Sequence, residues 1–203
     1  MTQEATLSIE DIKSLREQTG AGVMEVKEAL ERAGGDREKA VRILEQTGKA
    51  QAAKKAGRAT EQGQMGWYIH HDGRIGVLVE LDCETDFTGR TEQFKELAKC
   101  IAMQIAVHPP KYTSEADIAE NEKAEILTVI QEDVRKNNAG KPETVLEKIV
   151  EGQFRKWAEA NVLLAQPYIR DPDKTIEQLI HELVVQVKEN IVVKRWSRFQ
   201  IGA

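Results

Sequence analysis

Apolar and polar positions change period twice along the chain, from helical to alternating and back, and these changes mark its organisation. Ser8 opens a capping box with Asp11 in place of the usual Glu, and Ile9, Ile12 and Leu15 follow at helical spacing until Thr19 and Gly20 stop the helix. After the tight link Thr19-Gly20-Ala21-Gly22, the residues Val23, Val26, Leu30 and Ala33 mark a second helix that breaks at Gly34-Gly35. Asp36 caps a third, with Ala40, Val41 and Leu44 turned inward and a stop near Gly48. Three short helices make a bundle with a small core, which suits a docking module attached to something larger. Residues 49–62, KAQAAKKAGRATEQ, have no apolar stripe beyond alanine and predict an exposed linker helix.

The period then becomes two. Met65, Trp67, Tyr68 and Ile69 lead to Asp72-Gly73, and Ile75, Val77, Val79 and Leu81 follow. Asp-Gly between two β-prone runs predicts an antiparallel hairpin whose central turn residues both take positive φ. Helical spacing returns from Thr91 with Phe94, Leu97, Ala98, Ile101, Ala102 and Ile105, ending at Pro109-Pro110. Residues 115–137 predict an exposed helix, and beyond Gly140 and Pro142 a longer one carries Val145, Ile149, Val150, Phe154 and Trp157 inward. Tyr168-Ile169-Arg170 reads as a short extended piece. Thr175 opens the last helix, with Ile176, Leu179, Ile180, Leu183, Val184 and Val187, and IVVKRWSRFQIG predicts a third strand beside the hairpin. The expected class is α+β: a three-helix bundle (1–48), a linker helix (49–62), and a domain of residues 63–203 in which helices cover a small three-stranded antiparallel sheet. Such a sheet keeps a free edge, which invites pairing with another chain.

Composition narrows the partners. The chain of 203 residues is 40% hydrophobic and 31% charged, with five prolines, which is a globular composition. A net charge of -5 supplies no broad basic field for a phosphate backbone, so direct nucleic-acid binding is not expected. Cys83 and Cys100 are too few for a disulfide framework. The start of the chain lacks the apolar stretch of a signal peptide and no run approaches a membrane span, so a cytoplasmic protein without a membrane partner is expected.

Enzyme chemistry finds little support. There is no glycine-rich phosphate loop, no metal-binding helix motif and no nucleophile with convincing partners, so neither a resident metal nor a cofactor is expected. His70 and His71, taken as adjacent strand residues, should point to opposite faces and fail to converge on one ion. Lys49, Lys54, Lys55 and Arg58 form a basic patch without aromatic residues to stack bases, which reads as a solvated face. The tract Asp82-Cys83-Glu84-Thr85-Asp86-Phe87-Thr88 places a phenylalanine in a polar loop past a strand end. Such loops carry function, although Phe87 could also tuck under the next helix as a hydrophobic staple.

The segment IKSLREQTGAGVMEVKEAL resembles the amino-terminal signature of the elongation factor Ts family, with its helix, Thr-Gly-Ala-Gly turn and Lys-x-Ala-Leu ending. AAKKAGR, ETDF before a helix with Phe94, and QPYIRDPDKTIEQLI leading to Arg198-Phe199 are similar to further family segments in the same order. The resemblance implies a factor that strips GDP from elongation factor Tu by binding rather than catalysis. It implies that a Thr-Asp-Phe-Val tetrad, matched here by Thr85, Asp86, Phe87 and Thr88, enters the partner's nucleotide domain and dislodges its Mg2+. Thr88 in place of valine implies a more polar probe tip. The same resemblance implies docking of the bundle through Arg16, Gly22, Val23, Met24 and Lys27, with Lys55 as a further contact. Longer members carry a second copy of the sheet domain, so the single copy here implies a homodimer paired across the sheet. The rival readings are a peptide-binding adaptor, since the bundle is also similar to ubiquitin-associated (UBA) domains, an RNA-associated translation protein using the basic linker, and a hydrolase.

Overall fold

The computed structural model describes residues 8–202, so the first seven residues of the expected 1–48 module and the last residue of the 63–203 domain lie outside the described residues. The order of elements is α1 (Ile9–Thr19), α2 (Val23–Arg32), α3 (Arg37–Lys55), β1 (Gln62–Ile69), β2 (Ile75–Cys83), α4 (Asp86–Gly89), α5 (Glu92–Val107), α6 (Glu120–Asn137), α7 (Glu143–Asn161), β3 (Pro167–Tyr168), β4 (Asp171–Thr175), α8 (Ile176–Val187) and β5 (Ile191–Gln200). The class is α+β, with amino-terminal helices followed by a three-stranded antiparallel sheet in the order β1-β2-β5. Two compact units divide the chain. One comprises residues through Trp67 with Leu78–Cys100 and Gln178–Ser197; the other comprises Tyr68–Val77, Ile101–Glu177 and residues from Arg198 onward.

In the first unit the bundle closes on Leu15, Ala21, Val26, Ala29, Leu30, Ala40 and Leu44. Ser8 caps α1 by accepting the Glu10 amide at 3.1 Å. Asp11 does not return the bond expected of a capping box but faces Arg37 at 3.0 Å, tying α1 to the start of α3. Gly20 ends α1 in the left-handed region with φ 68°, and its amide donates to the Arg16 carbonyl. Asp36 caps α3 through the Lys39 amide.

The third helix does not stop at Gly48 but runs on to Lys55. One interior glycine costs about 1 kcal/mol relative to alanine, and the Lys, Ala and Gln that follow are good helix formers. A Cβ at Gly48 would sit 3.4 Å from the Val185 side chain on α8, an ordinary contact distance. Only the first half of the expected linker helix, through Lys55, continues α3, with Ala52 buried; residues 56–61 are turn and irregular chain, and Gln62 opens β1.

Strand β2 buries every second residue, Val77, Val79, Leu81 and Cys83, as its alternation predicts. Gly66 on β1 faces inward, and a Cβ there would lie 2.6 Å from the Ala98 carbonyl oxygen on α5. The hairpin turn is longer than the expected two residues. The His70 amide donates to the Ile75 carbonyl, Gly73 alone in the turn has positive φ, and the Asp72 carboxylate accepts the Arg74 amide at 3.0 Å.

In the second unit Gln104, fully enclosed, donates to the side-chain oxygen of Gln166 at 2.9 Å and to the Pro167 carbonyl at 3.1 Å, and accepts the Ile169 amide at 3.0 Å. These bonds hold the short β3–β4 pair, which the sequence pattern left as one extended piece. Helices α6 and α7 close on Ile118, Ala158 and Val162, with Phe154 stacked on Trp157. The expected inward face of α7 is only half-buried, and Val145 in its first turn is exposed. Among the described residues no helix is long and apolar enough to cross a membrane.

Candidate partner-binding site

Two surfaces of the first unit gather the residues expected to meet a partner. The first begins where β2 runs out. Thr85 has extended backbone, φ -127° and ψ 153°, and its hydroxyl accepts the Thr88 amide at 3.4 Å, so Asp86–Gly89 form one helical turn rather than an open loop. Thr91 then takes over: its hydroxyl donates to the Thr88 carbonyl and accepts the Phe94 amide, which starts α5. Gly89 is buried against the Gly63 carbonyl and the Cys83 sulfur, so the turn stands directly on β1 and β2.

This geometry sorts the tetrad. Phe87 projects from the turn with 79% of its surface exposed, which rules out the staple arrangement; Phe94, fully enclosed, is the aromatic residue under α5. Asp86 is also exposed, and its carboxylate lies 2.8 Å from the Arg90 guanidinium. Thr88 does not form a polar tip. It is 3% exposed and points down, its side chain near enough to the Glu189 carboxylate to help lower that carboxyl. A one-turn helix must place neighbouring residues on different sides, so an outward Phe87 brings Thr88 inward.

Glu189 is the residue that pattern reading missed. It accepts the Thr85 amide at 3.0 Å and the Thr85 hydroxyl at 2.6 Å. Burial raises its carboxyl, but hydrogen bonds from the Thr85 and Thr88 side chains and from the local backbone outweigh that, leaving it below the ordinary glutamate value. Beside it, burial and the Glu189 charge push the Cys83 thiol up to about 11, so Cys83 is a neutral packing residue whose S–H donates to the Thr85 carbonyl.

The second surface is a groove of about 920 Å3 around the Gly20–Gly22 turn, lined by α1, by the start of α2 and by the end of α8. Arg16, Gly22, Val23 and Met24 all line it. Met24 is 74% exposed and Val23 50%, so Val23 belongs to the surface and not to the bundle core. The first turn of α2 splays these side chains outward, while the Glu25 carboxylate accepts the Gly22 amide at 2.8 Å and fixes the helix start. Gln186 and Lys188 of the α8 end also line the groove and have no counterpart in the motif reading. Lys27 is exposed one turn further along α2, 3.9 Å from Glu31. Lys55 ends α3 and does not itself line the groove, although Lys188 of the lining is near it; burial, with Arg58 and Lys188 nearby, pushes its ammonium below the ordinary lysine value. Arg58 from the same basic patch faces Glu84 at 3.3 Å.

His70 and His71 differ from expectation. They sit in the hairpin turn, where strand alternation has ended, and their rings meet edge to face with centroids 4.3 Å apart. Among the described residues, no three potential metal ligands cluster.

Comparison with known proteins supplies the family. The family model described as Elongation factor TS matches residues 6–203. Curated relatives named Elongation factor Ts include one from Caldanaerobacter subterraneus subsp. tengcongensis, 48% identical over 198 residues and 97% of both chains. Another from Thermotoga petrophila is 48% identical over 196 residues, covering 97% of this chain and 96% of the relative, and one from Coprothermobacter proteolyticus is 49% identical over 193 residues, covering 94% and 96%. The chain belongs to the elongation factor Ts family, a family of translation elongation factors.

Proposed function

We propose that this protein is a guanine-nucleotide exchange factor for elongation factor Tu, acting in the cytoplasm by binding and without a cofactor of its own. The observation that carries this reading is Phe87, a large apolar side chain 79% exposed on a turn that is otherwise pinned. Fully burying such a ring is worth about 1.5–3 kcal/mol, which favours any partner conformation whose helices separate to receive it. Mg2+ requires near-ideal octahedral geometry, so a small displacement of the partner's loops weakens its hold on the ion and on the β-phosphate of GDP. Asp86, paired with Arg90, orients the turn and presents charge to a partner helix end rather than taking the metal.

In this reading residues 1–48 dock through the groove around Gly22, Val23 and Met24, with Arg16, Lys27 and Lys55 as polar contacts. Residues 49–62 join that module to the wedge, and 63–203 carry the wedge and a dimer interface. The dimer proposal rests on edge strand β1, whose Met65 and Trp67 are 55% and 65% exposed. A peptide-binding adaptor gives Phe87 no role.

Linkage provides the test: a factor that weakens GDP binding must itself be released by GDP to the same degree. Nucleotide-free elongation factor Tu mixed with this protein should co-elute from a sizing column as a complex that excess GDP dissociates. Failure to form that complex with an active partner, or a complex indifferent to GDP, overturns the reading.

A further inference from the structure

The turn between α8 and β5 meets both surfaces, since Lys188 lines the groove and Glu189 bonds Thr85 at the start of the wedge turn. Lys188 ends α8 with φ 59°, a left-handed conformation that side-chain-bearing residues adopt at a cost. That geometry delivers two successive side chains to different targets. Glu189 takes the Thr85 amide at 3.0 Å and the Thr85 hydroxyl at 2.6 Å. Asn190, 5% exposed, donates through its side-chain amide to the Arg58 carbonyl at 2.9 Å and the Ala56 carbonyl at 3.4 Å, where α3 ends. Its own amide donates to Glu84 at 2.7 Å, and Glu84 also faces Arg58.

We infer that Glu189 is a positioning residue for nucleotide exchange: with Asn190 beside it, its carboxylate clamps the Thr85–Thr88 turn to the end of α3 and so fixes where Phe87 stands. This rests on the exchange reading given above. The physical need is plain. A four-residue helical turn does not hold itself together, because forming one turn fixes several dihedrals for a single hydrogen bond. Thr85 opens the turn and accepts the Thr88 amide, so the carboxylate that holds Thr85 holds the start of the turn that carries Phe87. Removing it leaves the turn anchored through Gly89 and Thr91, with the Phe87 side free to sample other conformations. A ring that must force a pair of partner helices apart then meets them in the correct pose only some of the time, and misplacement on the 1 Å scale can cost about a hundredfold in rate. Asn190 extends the clamp, because the same turn fixes the carboxyl end of α3, the helix that belongs to the docking bundle.

The test is a double-mutant cycle on GDP release from elongation factor Tu, using full-length Glu189→Ala, Phe87→Ala and the double variant, with rates taken at saturating factor. Glu189→Ala should lower the saturating rate roughly tenfold or more while leaving the half-saturating concentration within about threefold, because the groove residues are untouched. Glu189→Gln, which keeps an acceptor oxygen of the same reach, should restore some of the loss. In the Phe87→Ala background, Glu189→Ala should have no further effect, whereas a merely structural residue would lower the rate by the same factor in both backgrounds. Wild-type rates for Glu189→Ala, or multiplying effects, overturn the inference while the exchange reading stands. If wild type itself fails to release GDP, the exchange reading falls. The clamp is then judged by amide hydrogen exchange over Asp86–Gly89, which must quicken in Glu189→Ala and whose constancy overturns it.

Discussion

Gln104 and Gln166 share a hydrogen bond of 2.9 Å with both side chains sealed from solvent, and each uses its remaining capacity on backbone groups. Gln104 serves the Pro167 carbonyl and the Ile169 amide, and Gln166 donates to the His108 carbonyl at 3.2 Å. Replacing Gln104 with leucine keeps the volume and strands several polar groups at once. With three groups left unsatisfied at roughly 1–3 kcal/mol each, the expected loss is about 3 kcal/mol or more, read as a lower urea midpoint at unchanged slope.

Gly66→Ala tests the approach of β1 to α5. The added methyl would stand 2.6 Å from the Ala98 carbonyl oxygen and 2.7 Å from its carbon. Both are backbone atoms, so the strand or helix has to shift, at about 1–3 kcal/mol. Ala98→Gly should fail to rescue the variant, since removing the Ala98 side chain leaves that carbonyl in place. Thermal melting of the single and double variants checks this.

The dimer proposal predicts a sedimenting mass twice that of one chain, converted to a single-chain mass by Trp67→Glu with little change in melting temperature. Trp67 is 65% exposed in one protomer, so a charge there costs the isolated fold little and an apolar contact much. A wild type that sediments as one chain at high concentration contradicts it.

Glu189 also sets an acid response. Its folded-state carboxyl lies below the ordinary value of 4.5, so its hydrogen bonds contribute stability that is fully present above that value and lost as pH falls through the folded one. Asp36, lowered by the Lys39 amide it caps, acts in the same direction at the start of α3. Melting temperature measured from about pH 5.5 down to about pH 3 should therefore fall more steeply in wild type than in Glu189→Gln, the two curves converging at the acid end. Parallel curves would remove Glu189 from the account of acid sensitivity.

The features legible in the sequence are those set by neighbours along the chain. The caps at Ser8 and Asp36, the left-handed Gly20, the alternation of β2 and the return of the last segment as β5 all follow from spacing and residue type. What pattern could not show depends on distant partners. The β3–β4 pair, for one, is held by buried glutamines from outside it. The helical turn at Asp86–Gly89 is too short to show a period, and its main support comes from a carboxylate 104 positions away. The motif drew attention to Phe87 and to Thr88 together; only the backbone of that turn separates an outward ring from an inward hydroxyl.

The release of labelled GDP from elongation factor Tu, followed in excess unlabelled nucleotide with wild type and with Phe87→Ala, tests the central claim most directly. Phe87 contributes exposed surface and no core packing, so the variant should melt as wild type does. Wild type should accelerate release, and the variant should lose roughly 30-fold of that acceleration, the equivalent of truncating an interface hot spot worth about 2 kcal/mol. Equal acceleration by both proteins would contradict the wedge, and no acceleration by wild type on an active partner would contradict the exchange function itself.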